Sequence, residues 1–78
     1  MNVSSKRARF EKVAGNRVQK ILDFLTLLQN CSNRNNYEYS EADVEHMFFE
    51  IQKAIKETKA KYQSELNKIN KTGFQFNS

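Results

Sequence analysis

The sequence is poor in the residues that build cross-linked or metal-centred folds. Among its 78 residues it has one cysteine, Cys31, and one histidine, His46. A single cysteine excludes an intramolecular disulfide, and a structural zinc site needs four ligands drawn mainly from these two residue types. The lack of a disulfide framework favours a reducing, cytoplasmic setting. We therefore expect neither a metal nor a cofactor.

Long apolar runs and glycine-rich loops are also missing. The longest apolar stretch, residues 21–28, is interrupted by Asp23 and is far shorter than the roughly 20 residues that cross a bilayer. Only two glycines occur, and no phosphate-binding loop. Cys31 and His46, the only candidates for a nucleophile and its base, have no catalytic motif around them. We predict a protein that is not an enzyme and has no membrane partner.

Helical periodicity is what the sequence has in abundance. Between residues 5 and 30, apolar side chains recur at helical spacing and share one face of a first helix: Phe10, Val13, Ala14, Val18, Ile21, Leu25 and Leu28. Neighbouring apolar residues widen this arc to about 200° in the second half of the helix, which one partner helix cannot cover. Self-association is therefore predicted through Leu22, Phe24, Leu25, Leu27 and Leu28.

Gly15-Asn16 leaves an alternative open for this helix. A break there would create a helix-turn-helix in which residues 17–28 enter a DNA groove. Asn16 occupies a position where that motif needs an apolar residue, and the second segment is nearly all aliphatic. Because glycine in a helix costs only about 1 kcal/mol relative to alanine, and close helix packing often explains it, we favour a continuous helix.

A second helix is predicted over residues 40–70. Ser40 and Asp43 are spaced to cap its start reciprocally. Gly73 is expected to end it, leaving an extended tail, residues 71–78. Its apolar residues follow an almost regular coiled-coil spacing: Val44, Phe48, Ile51, Ile55, Thr58, Tyr62, Leu66 and Ile69.

The connecting corner, residues 31–39, has the composition of a turn. Asn30 or Asn33 is expected to close the first helix in the left-handed conformation, and Asn35 and Asn36 to make Asx turns. A corner this short favours antiparallel neighbours. The predicted fold is therefore all-α: a single helical domain over residues 1–78, arranged as an antiparallel hairpin that dimerises into a four-helix bundle.

Several aromatic residues are candidates for contact with another protein. Tyr37 and Tyr39 either pack over the corner, which we favour because rings usually bury much of their area, or form a docking surface at its tip. Tyr39 is also placed to pair with Val44 as a hydrophobic staple. The remaining candidates lie off the seam and in the tail: Phe49, Phe74 and Phe76.

Charge is unevenly distributed along the chain. The net charge is +4, but an antiparallel hairpin would gather basic residues at one pole and acidic residues at the corner. The candidate anion-binding residues of the basic pole are Lys6, Arg7, Arg9, Lys12, Lys59, Lys68 and Lys71. They form either a solvated, solubilising surface or a patch that binds nucleic-acid phosphates without sequence preference. Membrane headgroups are disfavoured, because no segment combines a clean apolar face with a basic one.

A set of short segments within residues 10–62 carries a resemblance: residues 10–14, 30–33, 36–40, 43–44 and 47–48. Together they resemble small uncharacterised helical reading frames carried by mobile elements of Gram-positive bacteria. The resemblance implies a bacterial cytoplasmic protein that serves a plasmid, phage or conjugative element, with no activity attached. Our leading hypothesis is a helical dimer acting as a protein-binding regulatory or accessory factor, and the alternative is nucleic-acid binding.

Overall fold

The computed structural model of the chain is all-helical. It describes residues 5–74, with side chains over residues 5–68, and over this range it contains two α-helices and no strand. The helix α1 is Ser5–Asn30 and the helix α2 is Glu41–Phe74. The chain divides into two units, one ending at Glu38 and the other beginning at Tyr39. The prediction of two helices in an all-α chain is confirmed.

The first helix is continuous through Gly15 and Asn16. The predicted alternative of a break, and the helix-turn-helix that depended on it, is therefore wrong. Only one glycine lies inside a helix of 26 residues, and its modest cost is outweighed by the good helix formers around it. A Cβ atom built on Gly15 would meet no described atom of the chain within 4 Å.

The end of α1 is closed by backbone bonds of 3₁₀ type. The Cys31 N–H donates to the Leu28 carbonyl and the Ser32 N–H to the Gln29 carbonyl, both at 3.0 Å. The Ser32 hydroxyl also donates to the Gln29 carbonyl at 2.7 Å. No described residue has a positive φ. The prediction of a left-handed Asn30 or Asn33 is wrong, because these bonds already satisfy terminal carbonyls of the helix.

The loop between the helices is organised by Asn33. Its side-chain Oδ1 accepts from the Asn35 N–H at 2.9 Å, and its carbonyl accepts from the N–H groups of Asn36 and Tyr37 at 3.1 and 3.0 Å. An Asx turn is therefore present in the loop, as predicted, but it is made by Asn33 and not by Asn35 or Asn36. In an Asx turn the asparagine side chain accepts from the backbone N–H group two residues later, so the residue that begins the turn supplies the acceptor.

The reciprocal cap at the start of α2 is confirmed. The Asp43 N–H donates to Ser40 Oγ at 3.2 Å, and the Ser40 N–H donates to Asp43 Oδ2 at 2.8 Å. The Val44 N–H donates to the Ser40 carbonyl at 3.2 Å, which makes Ser40 the capping residue and Glu41 the first helical one. Tyr39 and Val44 are both half-buried, as a hydrophobic staple requires.

The second helix extends beyond its predicted end at Asn70. It continues through Gly73 to Phe74, so Gly73 does not terminate it and residues 71–74 are not an extended tail. Glycine is compatible with helical φ and ψ, and it ends a helix only when the chain adopts a left-handed residue there. The rest of the predicted tail, residues 75–78, lies outside the described residues.

None of residues 5–68 is buried. The least exposed apolar residues are half-buried and lie on the predicted faces: Ala14, Leu25, Leu28, Val44 and Ile51. Isolated helices in water are only marginally stable, and most helical stability in proteins comes from packing of an apolar face. The apolar faces of α1 and α2 are therefore the surfaces whose burial would stabilise the two helices.

Candidate interaction surfaces

The apolar face of α1 is the broadest interaction surface on the described chain. Leu25 and Leu28 are half-buried along its centre, whereas Leu22, Phe24 and Leu27 are exposed on its flanks. Phe24 is 68 % exposed, the largest value among the exposed large apolar side chains. All members of the predicted self-association surface thus lie on one helix, and three of the five offer their apolar area to solvent.

The seam of α2 is narrower and more regular. Phe48, Ile55, Tyr62 and Leu66 are exposed along it, and Val44 and Ile51 are half-buried. Thr58, the polar residue in the middle of the seam, does not disturb the apolar character of the seam. The Thr58 hydroxyl donates to the Ala54 carbonyl at 2.8 Å, so its donor is satisfied inside the helix.

The start of α1 carries a cluster of basic residues. Lys6, Arg7, Arg9 and Lys12 are all exposed, and no acidic residue lies in the first turn of the helix. The backbone N–H groups at a helix start already carry partial positive charge, so this cluster is placed against the macrodipole. The arrangement does not stabilise the helix, and an external anion would be favoured there.

Arg7 is partly committed to neighbours inside the cluster. Its Nε lies 3.0 Å from Glu11 Oε2, and its guanidinium carbon lies 5.7 Å from the centre of the Phe10 ring. Both pairings follow helical spacing, but charge counting along the sequence does not reveal them. Lys6, Arg9 and Lys12 are therefore better candidates for anion contacts than Arg7.

The predicted basic residues of α2 are spread along its second half. Lys59 is exposed, and Lys68 Nζ lies 3.1 Å from Glu65 Oε2 in an exposed pair. Lys71 belongs to the helix, but its side chain lies outside the described ones. A single basic pole formed by these lysines and the α1 cluster stays a prediction.

The predicted partner-binding aromatic residues differ in exposure. Tyr37 is 51 % exposed, which favours the docking alternative for that ring, whereas Tyr39 is half-buried, as expected of a ring that packs. Phe49 is 61 % exposed and lies about 100° from its neighbour Phe48 of the seam. The Phe74 side chain and the whole of Phe76 lie outside the described parts of the chain.

The electrostatic environment of Asp43 is set by its capping partners. The hydrogen bond from the Ser40 backbone N–H lowers the pKa of this carboxyl below its usual range, and the bond with the Ser40 hydroxyl lowers it further. The coulombic interaction with His46 adds a smaller lowering of the pKa. These partners are the capping partners of α2, so the perturbation reflects helix capping.

Within residues 5–74, no group of three or more histidine, cysteine or acidic side chains is arranged to hold a metal ion. Neither described helix has an apolar stretch long enough to cross a bilayer.

No family model, curated protein or solved structure matches the chain. The resemblance to reading frames of mobile elements therefore stays a prediction.

Proposed function

We propose that the protein is a non-enzymatic helical dimer that acts as a protein-binding regulatory or accessory factor in the cytoplasm, in service of a mobile element. The observation that carries the proposal is the exposure of both apolar faces, since none of residues 5–68 is buried. Contiguous apolar surfaces of this extent usually mark sites of protein association.

The dimer is proposed to form from two antiparallel hairpins. In each hairpin the seam of α2 covers part of the α1 face, and the second copy covers the remainder. Each apolar side chain that is newly removed from water contributes about 1.5–3 kcal/mol. The exposed flank made of Leu22, Phe24 and Leu27 therefore offers several kcal/mol to association, before the entropic cost of joining two chains.

Phe49 is proposed to anchor the protein partner. Its ring is exposed on α2 away from the seam, so the hairpin and the dimer can both form without covering it. Exposed aromatic anchors are typical centres of binding energy at protein interfaces. Tyr37, at the tip of the loop, is the second candidate anchor.

The dimer is tested by placing a charge in the middle of the α1 face. We expect Leu25→Glu to abolish dimerisation and unfold the chain together, because a buried carboxylate without a partner is strongly unfavourable. The matched control is Thr26→Glu, the next residue, which points away from the face and should keep the dimer. Sedimentation equilibrium gives the mass, and circular dichroism gives the helix content.

A folded, monomeric Leu25→Glu chain would contradict the coupling of folding to dimerisation, because one chain would then be stable without a second copy. Phe49→Ala then separates folding from partner binding. We expect it to leave mass and helix content unchanged while it removes binding to a partner isolated with the wild-type protein. Gln63→Ala, an exposed position farther along α2, is the control that should retain binding.

Nucleic-acid binding is the second candidate function. It is favoured by the basic cluster at the start of α1, which has no acidic residue in its first turn and opposes the helix dipole. Contacts to phosphate would be indifferent to sequence and would weaken steeply with salt. Lys59, Lys68 and Lys71 of α2 would extend the same surface if the hairpin forms.

A gel shift at low salt tests this alternative. The triple variant Lys6→Ala, Arg9→Ala and Lys12→Ala should lose the shift if the α1 cluster binds phosphate. The control variant Lys53→Ala, Lys56→Ala and Lys61→Ala removes the same charge from α2 and should retain most of it. Equal loss in both variants would point to net charge alone, and no shift by the wild-type chain would eliminate nucleic acid.

A further inference from the structure

We propose that the two copies associate in a symmetric, head-to-tail orientation, with their loops at opposite ends. In this orientation the start of α1 in one copy lies beside the start of α2 in the other. This inference rests on the proposed dimer and adds its orientation. It comes from the distribution of charge along the two described helices and from the length of the loop that joins them.

Opposite charges are concentrated at the two helix starts. Residues 5–20 contain six basic residues and one acidic residue, Glu11. Residues 41–50 contain four acidic residues and neither lysine nor arginine. The second half of α2 is basic again, so the acidic segment is the only surface on the described helices that complements the start of α1.

The chain cannot bring its own two helix starts side by side. The helix α1 has 26 residues and is therefore about 39 Å long at 1.5 Å per residue. The eleven steps from Asn30 to Glu41 span at most about 36–40 Å when fully extended, which is close to the length of α1. The turn from Asn33 to Tyr37 shortens this reach further. The loop is thus too short to return to the start of α1, and the complementary surface must come from a second copy.

The flanks of the two apolar faces also match in this orientation. Viewed along each helix from its start, Lys6 lies roughly 60° to one side of the α1 face, and Glu41 lies roughly 60° to the opposite side of the α2 seam. Opposite flanks are the ones that meet when two helices run in parallel, as at the e and g positions of parallel coiled coils. Both side chains are exposed.

The other orientation would oppose like charges. If the two hairpins associated with their loops at the same end, the start of α1 would lie beside the basic second half of α2 of the other copy. Like charges across an interface disfavour association. The head-to-tail arrangement places the same basic cluster against Glu41 and Glu45 instead.

Cross-linking between differently labelled copies tests the orientation. In a Cys31→Ser background, chains carrying Lys6→Cys are mixed with chains carrying Glu41→Cys and treated with a short bismaleimide. The control mixture pairs Lys6→Cys with Glu65→Cys, because Glu65 lies as far along α2 from the loop as Lys6 lies along α1. The two mixtures report the head-to-tail and the loop-to-loop dimer, respectively.

We expect the mixture of Lys6→Cys and Glu41→Cys to give roughly tenfold or more cross-linked heterodimer than the control, because only adjacent groups react at a high effective concentration. In the head-to-tail dimer, Lys6 and the Glu65 position of the other copy are about 36 Å apart along the helix axis. A higher yield in the control, or equal yields in the two mixtures, would overturn the orientation while leaving the dimer intact. A monomeric mass by sedimentation would instead remove the dimer itself.

Charge reversal provides a second measurement. The variant Glu41→Lys, Glu45→Lys should raise the dimer dissociation constant roughly tenfold. A symmetric dimer contains each proposed pair twice, and the reversal turns each attraction into a repulsion. The control variant Glu57→Lys, Glu65→Lys changes net charge equally but alters no proposed contact. Adding Lys6→Glu and Arg9→Glu to the first variant should restore association, and a failure to restore it would contradict the proposed pairing.

Discussion

At the residue scale, the best-defined feature is the cap formed by Ser40 and Asp43. Each residue satisfies a backbone N–H group of the other, at 3.2 and 2.8 Å, where the first turn of α2 has no intrahelical partners. The carboxylate of Asp43 also complements the positive end of the helix dipole. The helix cap, the favourable interaction with the helix dipole and the lowered pKa thus all come from the position of the Asp43 carboxylate at the start of α2.

The first prediction concerns the pH dependence of this cap. Because the pKa of Asp43 is lowered in the helix, the ionised carboxylate stabilises α2 at neutral pH, and this stabilisation is lost as the pH falls from about 4 through the lowered pKa. We expect nuclear magnetic resonance to show the Asp43 side chain titrating below the usual range of an aspartate. Asp43→Asn should remove the corresponding acid-dependent loss of helix content, whereas Glu45→Gln should not. An ordinary pKa at Asp43 would show that the cap does not persist in solution.

The loop asparagines show where residue-scale prediction from the sequence ends. Their composition predicts a turn, and a turn is present, but Asn33 rather than Asn35 or Asn36 accepts the side-chain bond. Several asparagines in a short segment can each begin an Asx turn with similar energy, so composition does not choose among them. The pairing of Arg7 with Glu11 and Phe10 was missed for a similar reason, since spacing permits many helical pairs and selects none.

At the element scale, periodicity predicted the helices well, and the favoured continuous course of α1 through Gly15 is confirmed, whereas the predicted end of α2 at Gly73 is wrong. Both helices follow the spacing of their apolar residues, and Ser40 with Asp43 marks the start of α2. Gly15 does not break α1, and Gly73 does not end α2. A glycine lowers helix propensity by about 1 kcal/mol, which a long helix with good neighbours absorbs.

The second prediction concerns Gly15. Its backbone is helical, its φ is not positive, and an added Cβ would meet no described atom within 4 Å. Gly15→Ala should therefore stabilise α1 by about 0.5–1 kcal/mol, largely by restricting the unfolded chain. Chemical denaturation at a fixed protein concentration measures this change, with Asn16→Ala as the neighbouring control. A destabilised Gly15→Ala chain would reveal that a partner packs closely against this position.

At the scale of the whole molecule, residues 5–74 contain two helices with apolar faces, and none of residues 5–68 is buried. The sequence predicted this surplus of apolar surface from the width of the α1 arc. It predicted a second copy as the cover but not the orientation of that copy, because apolar burial is non-directional and charge adds only modest selectivity. In the proposed dimer, the uneven charge along α1 and α2 supplies the direction that the apolar faces lack.

The final prediction links folding to protein concentration. If two copies complete one core, the unfolding equilibrium converts a folded dimer into two unfolded chains, and the melting temperature must rise with total concentration. Scans by circular dichroism over a hundredfold range of concentration should therefore show a progressive upward shift for the wild-type chain. At a fixed concentration the melting temperature should fall as salt is raised if the helix starts attract each other, since screening weakens exposed charge pairs and leaves apolar contacts in place. A melting temperature independent of concentration would mean that one chain folds without a second copy, and the exposed Leu22, Phe24 and Leu27 would then be available to a different protein.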